Sequence, residues 1–278
     1  MVKAVNTRSV EQEPVKGPVD KAMEVLEALV QPGAPHRLGE IARRTSLAKP
    51  TVHRLLRTMA EHGFAEPEEG GSYRAGPRLL GLAAAALNEG RVLELAGPVL
   101  ADLRRRTGHV ASFAVRHDSD AVYLVQSEPA REYRTGARPG HRTPLYASGV
   151  GLAMLSALPA GEAAALLGTT ELDARTPRTP TEPAALQALV AEAARCGYAV
   201  DDEYDEPDMR SVAAPVLGPD GRVAGAIGIS GPMFTMDAAN LETFGPMVRA
   251  AARTVSAGLG ARTPTLGSMG TVIRGELA

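Results

Sequence analysis

Residues 38–63 read LGEIARRTSLAKPTVHRLLRTMAEHG and decide the fold of the amino-terminal part of the chain. Apolar residues at Leu38, Ile41 and Ala42 predict a short helix, and a polar turn at 45–46 separates it from another. The later helix begins near Pro50, because proline is tolerated only in the first turn of a helix. An amphipathic helix over 19–30 precedes both. The spacing therefore predicts three small helices, the last two joined as a helix-turn-helix.

The third helix has one apolar and one cationic face. At 100° per residue, Val52, Leu55, Leu56 and Met59 share one side, whereas Thr51, His53, Arg54 and Arg57 lie on the other. Residues 43–57 contain five Arg or Lys and no Asp or Glu, within a chain of net charge −2. A two-stranded ribbon follows over 64–74, with PEEGGS as its turn. This combination predicts a winged helix-turn-helix that binds DNA, with a merely solvated helix face as the alternative.

The DNA contacts expected from this surface fall into three groups. Lys49, Thr51 and Arg57 are expected to reach phosphates, where they release condensed counterions, and His53 and Arg54 are candidates for base edges in the major groove. Arg74 on the ribbon is expected to approach the neighbouring backbone or the minor groove. Arg44 and Ser46, in and beside the turn, complete the predicted set.

Length and composition exclude several other classes. The chain has 278 residues, 44% hydrophobic and 22% charged, which is typical of a globular protein of two domains rather than a disordered polycation. The single cysteine, Cys196, excludes an intrachain disulfide and favours a reducing compartment. No apolar stretch approaches the roughly 20 residues of a membrane span, and the amino terminus lacks the apolar core of a secretion signal. We therefore expect a cytoplasmic protein.

The second part of the chain has a different pattern. Residues 110–126 and 211–230 each hold two β-rich runs around a polar turn, and helical patterns cover 149–158, 183–196 and 237–258. The fold class expected is α+β, with an antiparallel sheet flanked by helices. The domain boundaries that we expect are a disordered tail over 1–17, a winged helix-turn-helix over 18–76, a linker helix over 77–96, an effector-binding domain over 97–260 and a flexible tail over 261–278.

No catalytic motif appears in the second part, so we predict neither an enzyme nor a cofactor. The acidic run over 201–208 lacks the glycine and final glutamate of a calcium loop, and we interpret it as an exposed turn with one or two inward acids rather than a metal site. Ser148, Gly149, Val150 and Gly151 open an apolar helix. The free backbone N–H groups there suit a carboxylate or similar anion, but Ser148 acting only as a helix cap explains the pattern equally well.

The chain resembles the IclR family of bacterial transcriptional regulators over about residues 18–258. The resemblance is carried by PVDKAMEVLEALV (18–30), residues 38–64, SYRAGPRLLGL (72–82) and GYAVDDEYDEPDMRSVAAPVLGPDGRVAGAIGISGP (197–232). It implies a winged helix, a linker helix and a ligand-binding domain with a GAF-like sheet. It also implies dimers, often paired into tetramers, whose affinity for DNA is altered by a small molecule.

The resemblance also implies an effector pocket. Matching the family's motifs onto this sequence gives Tyr146, Gly149, Val150, Asp201, Ser211, Gly228 and Ser230 as its lining. Three residues depart from the family's pattern: Ser211 stands where cysteine is common, Tyr146 where histidine is common and Leu152 where lysine often follows the glycine. The arginines at 134, 138 and 142 favour an acidic ligand, although solvation explains at least two of them.

Together these features predict a homodimeric, sequence-specific regulator, more a repressor than an activator. Its operator is expected to be pseudo-palindromic double-stranded DNA, and its effector a small organic acid or an aromatic metabolite. The alternative is a small-molecule-binding or enzymatic α+β protein whose amino-terminal helices serve only association. A DNA-organising protein without a ligand is a third hypothesis.

Overall fold

The computed structural model describes residues 17–31, 33–89, 91–129 and 138–261. The chain divides into two compact units, residues 1–89 and 90–278, each with a hydrophobic core of its own. Apart from Gly17 and Ala261, the predicted tails lie outside the described residues, and so does Arg134.

The first unit contains the predicted helices and ribbon. Its elements are α1 (Pro18–Leu29), β1 (His36–Arg37), α2 (Leu38–Arg44), α3 (Lys49–Glu61), β2 (Ala65–Glu68), β3 (Ser72–Ala75) and α4 (Pro77–Glu89). A 3-10 turn joins β2 to β3, and the small sheet is antiparallel in the order β1-β3-β2. Strand β1 was not predicted, because two residues are too few to show an alternating pattern.

Five fully buried side chains form the centre of this unit: Val25, Leu29, Ile41, Val52 and Leu56. The last two lie four residues apart on α3, so the apolar side predicted for this helix packs against α1 and α2. Gly76, at the end of the ribbon, packs closely against Gly63, just beyond the end of α3. A Cβ atom there would lie 2.3 Å from the carbonyl oxygen of Gly63, which only glycine avoids.

The linker helix predicted over 77–96 differs from the structure in its extent. Helix α4 covers 77–89, and α5 (Arg91–Thr107) continues eleven residues beyond position 96. Ala96, Leu100 and Leu103 are buried in the core of the second unit. The units therefore divide near residue 89, since α5 packs with the domain that follows it.

The second unit is a six-stranded antiparallel sheet with helices on both faces. Its remaining elements are β4 (Val110–His117), β5 (Asp120–Ser127), β6 (Arg142–Pro144), α6 (Gly149–Ser156), α7 (Ala160–Thr169), α8 (Pro183–Cys196), β7 (Ala199–Asp202), β8 (Met209–Leu217), β9 (Val223–Pro232) and α9 (Ala238–Gly258). The strand order is β6-β5-β4-β9-β8-β7. The predicted α+β fold class, with a helix-turn-helix followed by an antiparallel sheet domain, is confirmed.

The two faces of the sheet carry side chains of different sizes. Ile227 and Ile229 belong to the core beneath α5 and α9. Their neighbours on β9, Ala226 and Gly228, lie on the opposite face with α6. These small residues let α6 lie directly on the sheet, and all its residues from 149 to 155 are buried. A helix that is apolar on every side is stable only when it is buried in this way.

Two local features of the second unit were not predicted. Strand β6 ends at Pro144, and a 3-10 turn continues over Leu145–Ala147. Proline has no N–H to donate to a strand ladder, which explains the early end. Helix α7 was not predicted; its hydrophobic periodicity is weak, with Ala163 and Leu167 its only residues in the core among those that the structure describes there.

Candidate functional site

The helix-turn-helix surface is formed by α2, the turn at 45–48 and α3. Thr45 is the capping residue at the carboxyl end of α2, and its hydroxyl donates to the carbonyl oxygen of Ile41 at 2.9 Å. Ser46 follows with a positive φ of 55°, which reverses the chain direction. Pro50 occupies the second position of α3, where no intrahelical N–H is required. The turn therefore sets the orientation of α3 relative to α2.

The structure places most of the eight predicted DNA-binding residues on this unit's outer surface. Seven are exposed, namely Arg44, Ser46, Lys49, His53, Arg54, Arg57 and Arg74, and Thr51 is half-buried. The side chain of Arg57 is 74% exposed, whereas the preceding residue on α3, Leu56, is fully buried. The cationic side of α3 is accordingly turned away from the core.

Three of the predicted cations are paired with carboxylates of the protein itself. Arg44 lies 2.7 Å from Glu40, and Arg57 lies 3.2 Å from Glu61. Arg74 is held by two acids on β2, Glu66 and Glu68. The first two pairs join residues four apart on a helix, a spacing that the sequence already contained just outside the acid-free segment. The charge of +5 over residues 43–57 is therefore partly compensated.

The remaining cations are not compensated. Lys49 and Arg54 make no ion pair or side-chain hydrogen bond within the described ranges, and the same holds for His53 and Arg43. Arg43, at the end of α2, was not among the predicted site residues. Its exposure and lack of a partner are visible only in the structure. Lys49, Arg54 and Arg43 leave a positive surface around the start of α3, and His53 lies exposed among them.

In the second unit, three polar residues form a row across neighbouring strands. Asp201 on β7 pairs in register with Ser211 on β8, and Ser211 pairs with Ser230 on β9. The hydroxyl oxygen of Ser230 is buried without a hydrogen-bond partner among the described residues. A buried polar atom without a hydrogen-bond partner lowers the stability of the folded state, so a ligand that bonds to it would be favoured. The row thus joins three of the predicted effector-binding residues.

Asp201 is the most strongly perturbed of these groups. Its carboxylate accepts hydrogen bonds from the backbone N–H of Tyr204 at 2.7 Å and from the Ser211 hydroxyl at 3.0 Å. Burial nevertheless raises the pKa of Asp201 from 3.8 to about 7, because desolvation of the charged form outweighs both hydrogen bonds. Asp201 is therefore poised to exchange a proton near neutral pH.

The start of α6 lies directly against this row. A Cβ atom on Gly149 would lie 2.4 Å from the Ser211 hydroxyl oxygen, and one on Gly228 would lie 3.1 Å from the Val150 side chain. Six of the seven predicted effector residues are thereby brought together. Ser148 caps α6 by accepting from the N–H of Gly151 at 3.2 Å, so the capping role exists whether or not an anion binds there.

Tyr146 is buried nearby, but its hydroxyl is already occupied. It donates to the carbonyl oxygen of Asp173 at 2.9 Å, in the loop between α7 and α8. Burial raises the pKa of Tyr146 above its ordinary value. Tyr146 therefore anchors that loop, a contact across 27 residues that sequence spacing does not reveal.

Sequence reasoning also missed Tyr123 on β5. Burial, followed by the negative charges of Asp205, Asp201 and Glu206, strongly raises the pKa of its phenol. Its ring is stacked near that of His141, with centroids 6.3 Å apart. Tyr123 thus lies close enough to Asp201 for the charge of that carboxylate to act on its phenol.

The acidic run over 201–208 forms a turn in which several of the carboxylates are paired with arginines. Asp202 is bound by Arg178 and Arg210, and Asp205 accepts from Arg175 at 2.5 Å and from Thr143 at 2.8 Å. In the same loop as Arg175 and Arg178, the Thr176 and Thr179 hydroxyls donate to the carbonyl oxygens of Glu203 and Tyr204. These contacts hold residues 175–179 against the turn. Among the residues of the acidic run, only Asp201 is buried.

A helix-turn-helix with unpaired cations, joined in one chain to a sheet domain with a buried polar row, defines a DNA-binding regulator with a ligand-binding domain. The family model of the IclR helix-turn-helix domain matches residues 18–69, and that of the bacterial transcriptional regulator IclR C-terminal domain matches residues 84–257. The chain belongs to the IclR family of bacterial transcriptional regulators, which confirms the family expected from the sequence.

Individual relatives support this assignment. The chain is 33% identical to the HTH-type transcriptional regulator BhcR of Paracoccus denitrificans over 88% of both proteins. It is 30% identical to the transcriptional repressor IclR of Escherichia coli, over 86% of this chain and 89% of that one. An IclR homologue from Microbacterium hydrocarbonoxydans, solved in complex with 4-hydroxybenzoate, superposes with a TM-score of 0.75 at 27% identity, covering 87% of this chain and 99% of the other.

Within the described parts of the chain, no helix combines the length and the apolar character needed to cross a membrane.

Proposed function

We propose that this regulator binds a specific operator through α3 and that an acidic small molecule in the second unit modulates its affinity. The observation that carries the DNA-binding assignment is the position of α3. Its apolar residues Val52 and Leu56 are fully buried, whereas Lys49, His53 and Arg54 are exposed and unpaired within the described ranges. A helix placed in this way can enter the major groove without rearrangement of its own core.

The proposed roles follow from charge and pairing. Lys49 and Thr51 contact phosphates at the start of α3, and His53 and Arg54 contact base edges. Ser46 lies in the turn beside them. Arg44 and Arg57 also contact phosphates, but each must first exchange its contact with Glu40 or Glu61 for one with DNA. Exposed ion pairs are worth little, so this exchange costs roughly 1 kcal/mol or less.

We further propose a homodimer, with two winged helices on a pseudo-palindromic operator, acting as a repressor in the cytoplasm. The proposed DNA-binding domain covers 18–76. The proposed effector-binding domain starts with α5, and α4 connects the two. Dimers that pair into tetramers would place four winged helices in one assembly. Analytical ultracentrifugation of the full chain tests the oligomeric state.

The proposed effector is a small organic acid or an aromatic acid bound at Tyr146, Gly149, Val150, Asp201, Ser211, Gly228 and Ser230, with Tyr146 contributing its ring because its hydroxyl is bound to Asp173. The buried hydroxyl of Ser230, which has no partner among the described residues, supplies a polar contact, and the backbone N–H groups at the start of α6 suit a carboxylate. The 4-hydroxybenzoate bound to the similar Microbacterium protein supports an aromatic acid. No catalytic constellation is part of this proposal, and we infer no enzymatic activity.

We expect 4-hydroxybenzoate, used as the probe, to raise the melting temperature of the full chain, because a ligand that binds only the native state stabilises it. At a concentration of about 100 times Kd the gain is roughly 3 kcal/mol. Calorimetric melts of the parent and of Ser230→Ala measure it, with benzyl alcohol as the uncharged comparison. An equal shift with both compounds, or an undiminished shift in the variant, would contradict the carboxylate site.

A gel-shift assay with the DNA upstream of the protein's own gene tests DNA binding itself. A retarded complex that survives excess random DNA supports the regulator. Absence of a complex even at low salt would instead favour an α+β ligand-binding protein whose first unit serves association. Binding without any preference for the upstream DNA would favour a DNA-organising protein.

We expect Lys49→Ala to weaken binding to operator and random DNA alike. Lys49 has no protein partner among the described residues, so its whole charge is available to release counterions from one phosphate. The slope of log K against log salt should fall by about 0.9 for each phosphate that the protein no longer neutralises. Fluorescence anisotropy over a salt series measures the slope, with Lys21→Ala on α1 as the control. An unchanged slope would remove Lys49 from the interface.

A further inference from the structure

The ribbon beside α3 carries its charges on one face. In the register of β2 and β3, Glu66 lies opposite Arg74, and Glu68 lies two residues further along the same face of β2. Ala65 is buried and Tyr73 packs against the core, so the opposite face is turned inward. Glu66, Glu68 and Arg74 therefore form the outer face of the ribbon.

Arg74 is bound by both acids at once. Its guanidinium lies 2.6 Å from a carboxylate oxygen of Glu66 and 3.0 Å from one of Glu68. The hydrogen bond to Glu66, followed by the charges of Glu66 and Glu68, raises the pKa of Arg74. The single cation of the ribbon is therefore already neutralised within the protein.

The ribbon as a whole is negative. Residues 64–75 contain three acids, Glu66, Glu68 and Glu69, and one base, Arg74, which gives a net charge of −2. Residues 43–57 carry +5 shortly before it. Two nearby elements of opposite sign thus lie on one small unit, and a phosphate backbone attracts the first and repels the second.

We propose that Glu66 and Glu68 act as an electrostatic brake on DNA binding: they hold Arg74 away from phosphates and keep the ribbon from adding sequence-independent affinity. This inference rests on the proposed function, because it assumes that α3 contacts DNA. The expected consequence is that the protein binds its operator more selectively relative to random DNA. Non-specific affinity comes almost wholly from phosphate contacts, so a ribbon that contributes none leaves binding dependent on the base contacts of α3.

The competing role for the same contacts predicts the opposite result. Carboxylates often orient an arginine, and Glu66 and Glu68 would then be positioning residues for an Arg74 that contacts DNA. Removing their charges would weaken binding under that role. Under the proposed brake the same change strengthens it, because Arg74 gains a phosphate and two repelling charges disappear.

The test is the double variant Glu66→Gln/Glu68→Gln in the full chain, since glutamine retains a hydrogen-bond acceptor for Arg74. We expect its affinity for a random-sequence duplex to rise roughly tenfold at about 50 mM salt, with a salt slope steeper by about 0.9. Glu94→Gln/Glu242→Gln changes the net charge equally on residues of the second unit and should leave binding unchanged. Circular dichroism checks that each variant is folded.

A second variant keeps the inference testable if the first is unstable. Arg74→Gln should leave the salt slope of the parent unchanged, because Arg74 engages no phosphate there. A slope reduced by about 0.9 in Arg74→Gln, or unchanged or weaker binding by the double glutamine variant, would overturn the brake. If the parent itself binds no DNA at low salt, the proposed function fails instead, and the two failures are distinct.

Discussion

Replacing Arg54 with alanine is expected to lower the affinity for operator DNA by roughly tenfold to a hundredfold, because one good base contact contributes about 1–3 kcal/mol of discrimination. Affinity for random DNA should change much less. Arg54 is exposed on α3 and has no side-chain partner in the part of the chain that the structure describes, so alanine removes no internal contact of its guanidinium. Competition gel shifts with operator and random duplexes measure both affinities.

Arg57→Ala is the matched control for this result. Arg57 lies one turn further along α3 and forms an ion pair with Glu61. Its replacement should therefore weaken binding to operator and to random DNA by similar factors, both smaller than the loss of operator affinity in Arg54→Ala. A ratio of operator to random affinity that stays at the parental value in Arg54→Ala would remove Arg54 from base recognition. If both variants bind as the parent does at every salt concentration, α3 is not the recognition helix.

Replacing Asp201 with asparagine is expected to abolish a large pH dependence of stability. The pKa of Asp201 is about 7 in the folded chain and ordinarily 3.8, so the folded state retains a proton that the unfolded state has released. The stability that this proton provides is complete below pH 3.8 and is lost as the pH rises towards 7. The total loss is about 4 kcal/mol, of which roughly 3 kcal/mol falls between about pH 5 and pH 8.

Urea unfolding followed by circular dichroism measures this effect at both pH values. Asparagine can still accept from the Tyr204 N–H and donate to the Ser211 hydroxyl oxygen, so the local hydrogen bonds survive. The variant should therefore gain stability relative to the parent as the pH rises. Asp208→Asn, an exposed acid of the same turn, serves as the control. Parallel pH profiles for the parent and Asp201→Asn would show that Asp201 is ionised throughout.

Local patterns predicted much of the fold. The bounds of α8 follow from its periodicity between Pro183 and Cys196, and the turns of both hairpins follow from their polar residues. The exposed and buried sides of α3 follow from the helical repeat alone. Where the pattern was short or weak, as in β1 and α7, prediction failed.

Contacts between distant parts of the chain were not predictable in this way. Family resemblance grouped Gly149, Asp201 and Ser211, but it gave no reason for the high pKa of Asp201, which arises from burial by several elements. The hydrogen bond of Tyr146 to Asp173 depends on the path of an irregular loop. By contrast, the pairs Glu40–Arg44 and Arg57–Glu61 had a sequence signal in their spacing, which a search confined to the acid-free segment overlooks.

The contact between Gly149 and Ser211 has a consequence for altering ligand preference. With 2.4 Å between a Cβ at position 149 and the Ser211 hydroxyl oxygen, any side chain at position 149 displaces that hydroxyl. The same hydroxyl donates to the Asp201 carboxylate at 3.0 Å, so the displacement would remove one of the hydrogen bonds that this carboxylate accepts. A new ligand preference that begins with a substitution at position 149 would therefore need an accompanying change at Ser211 or Asp201.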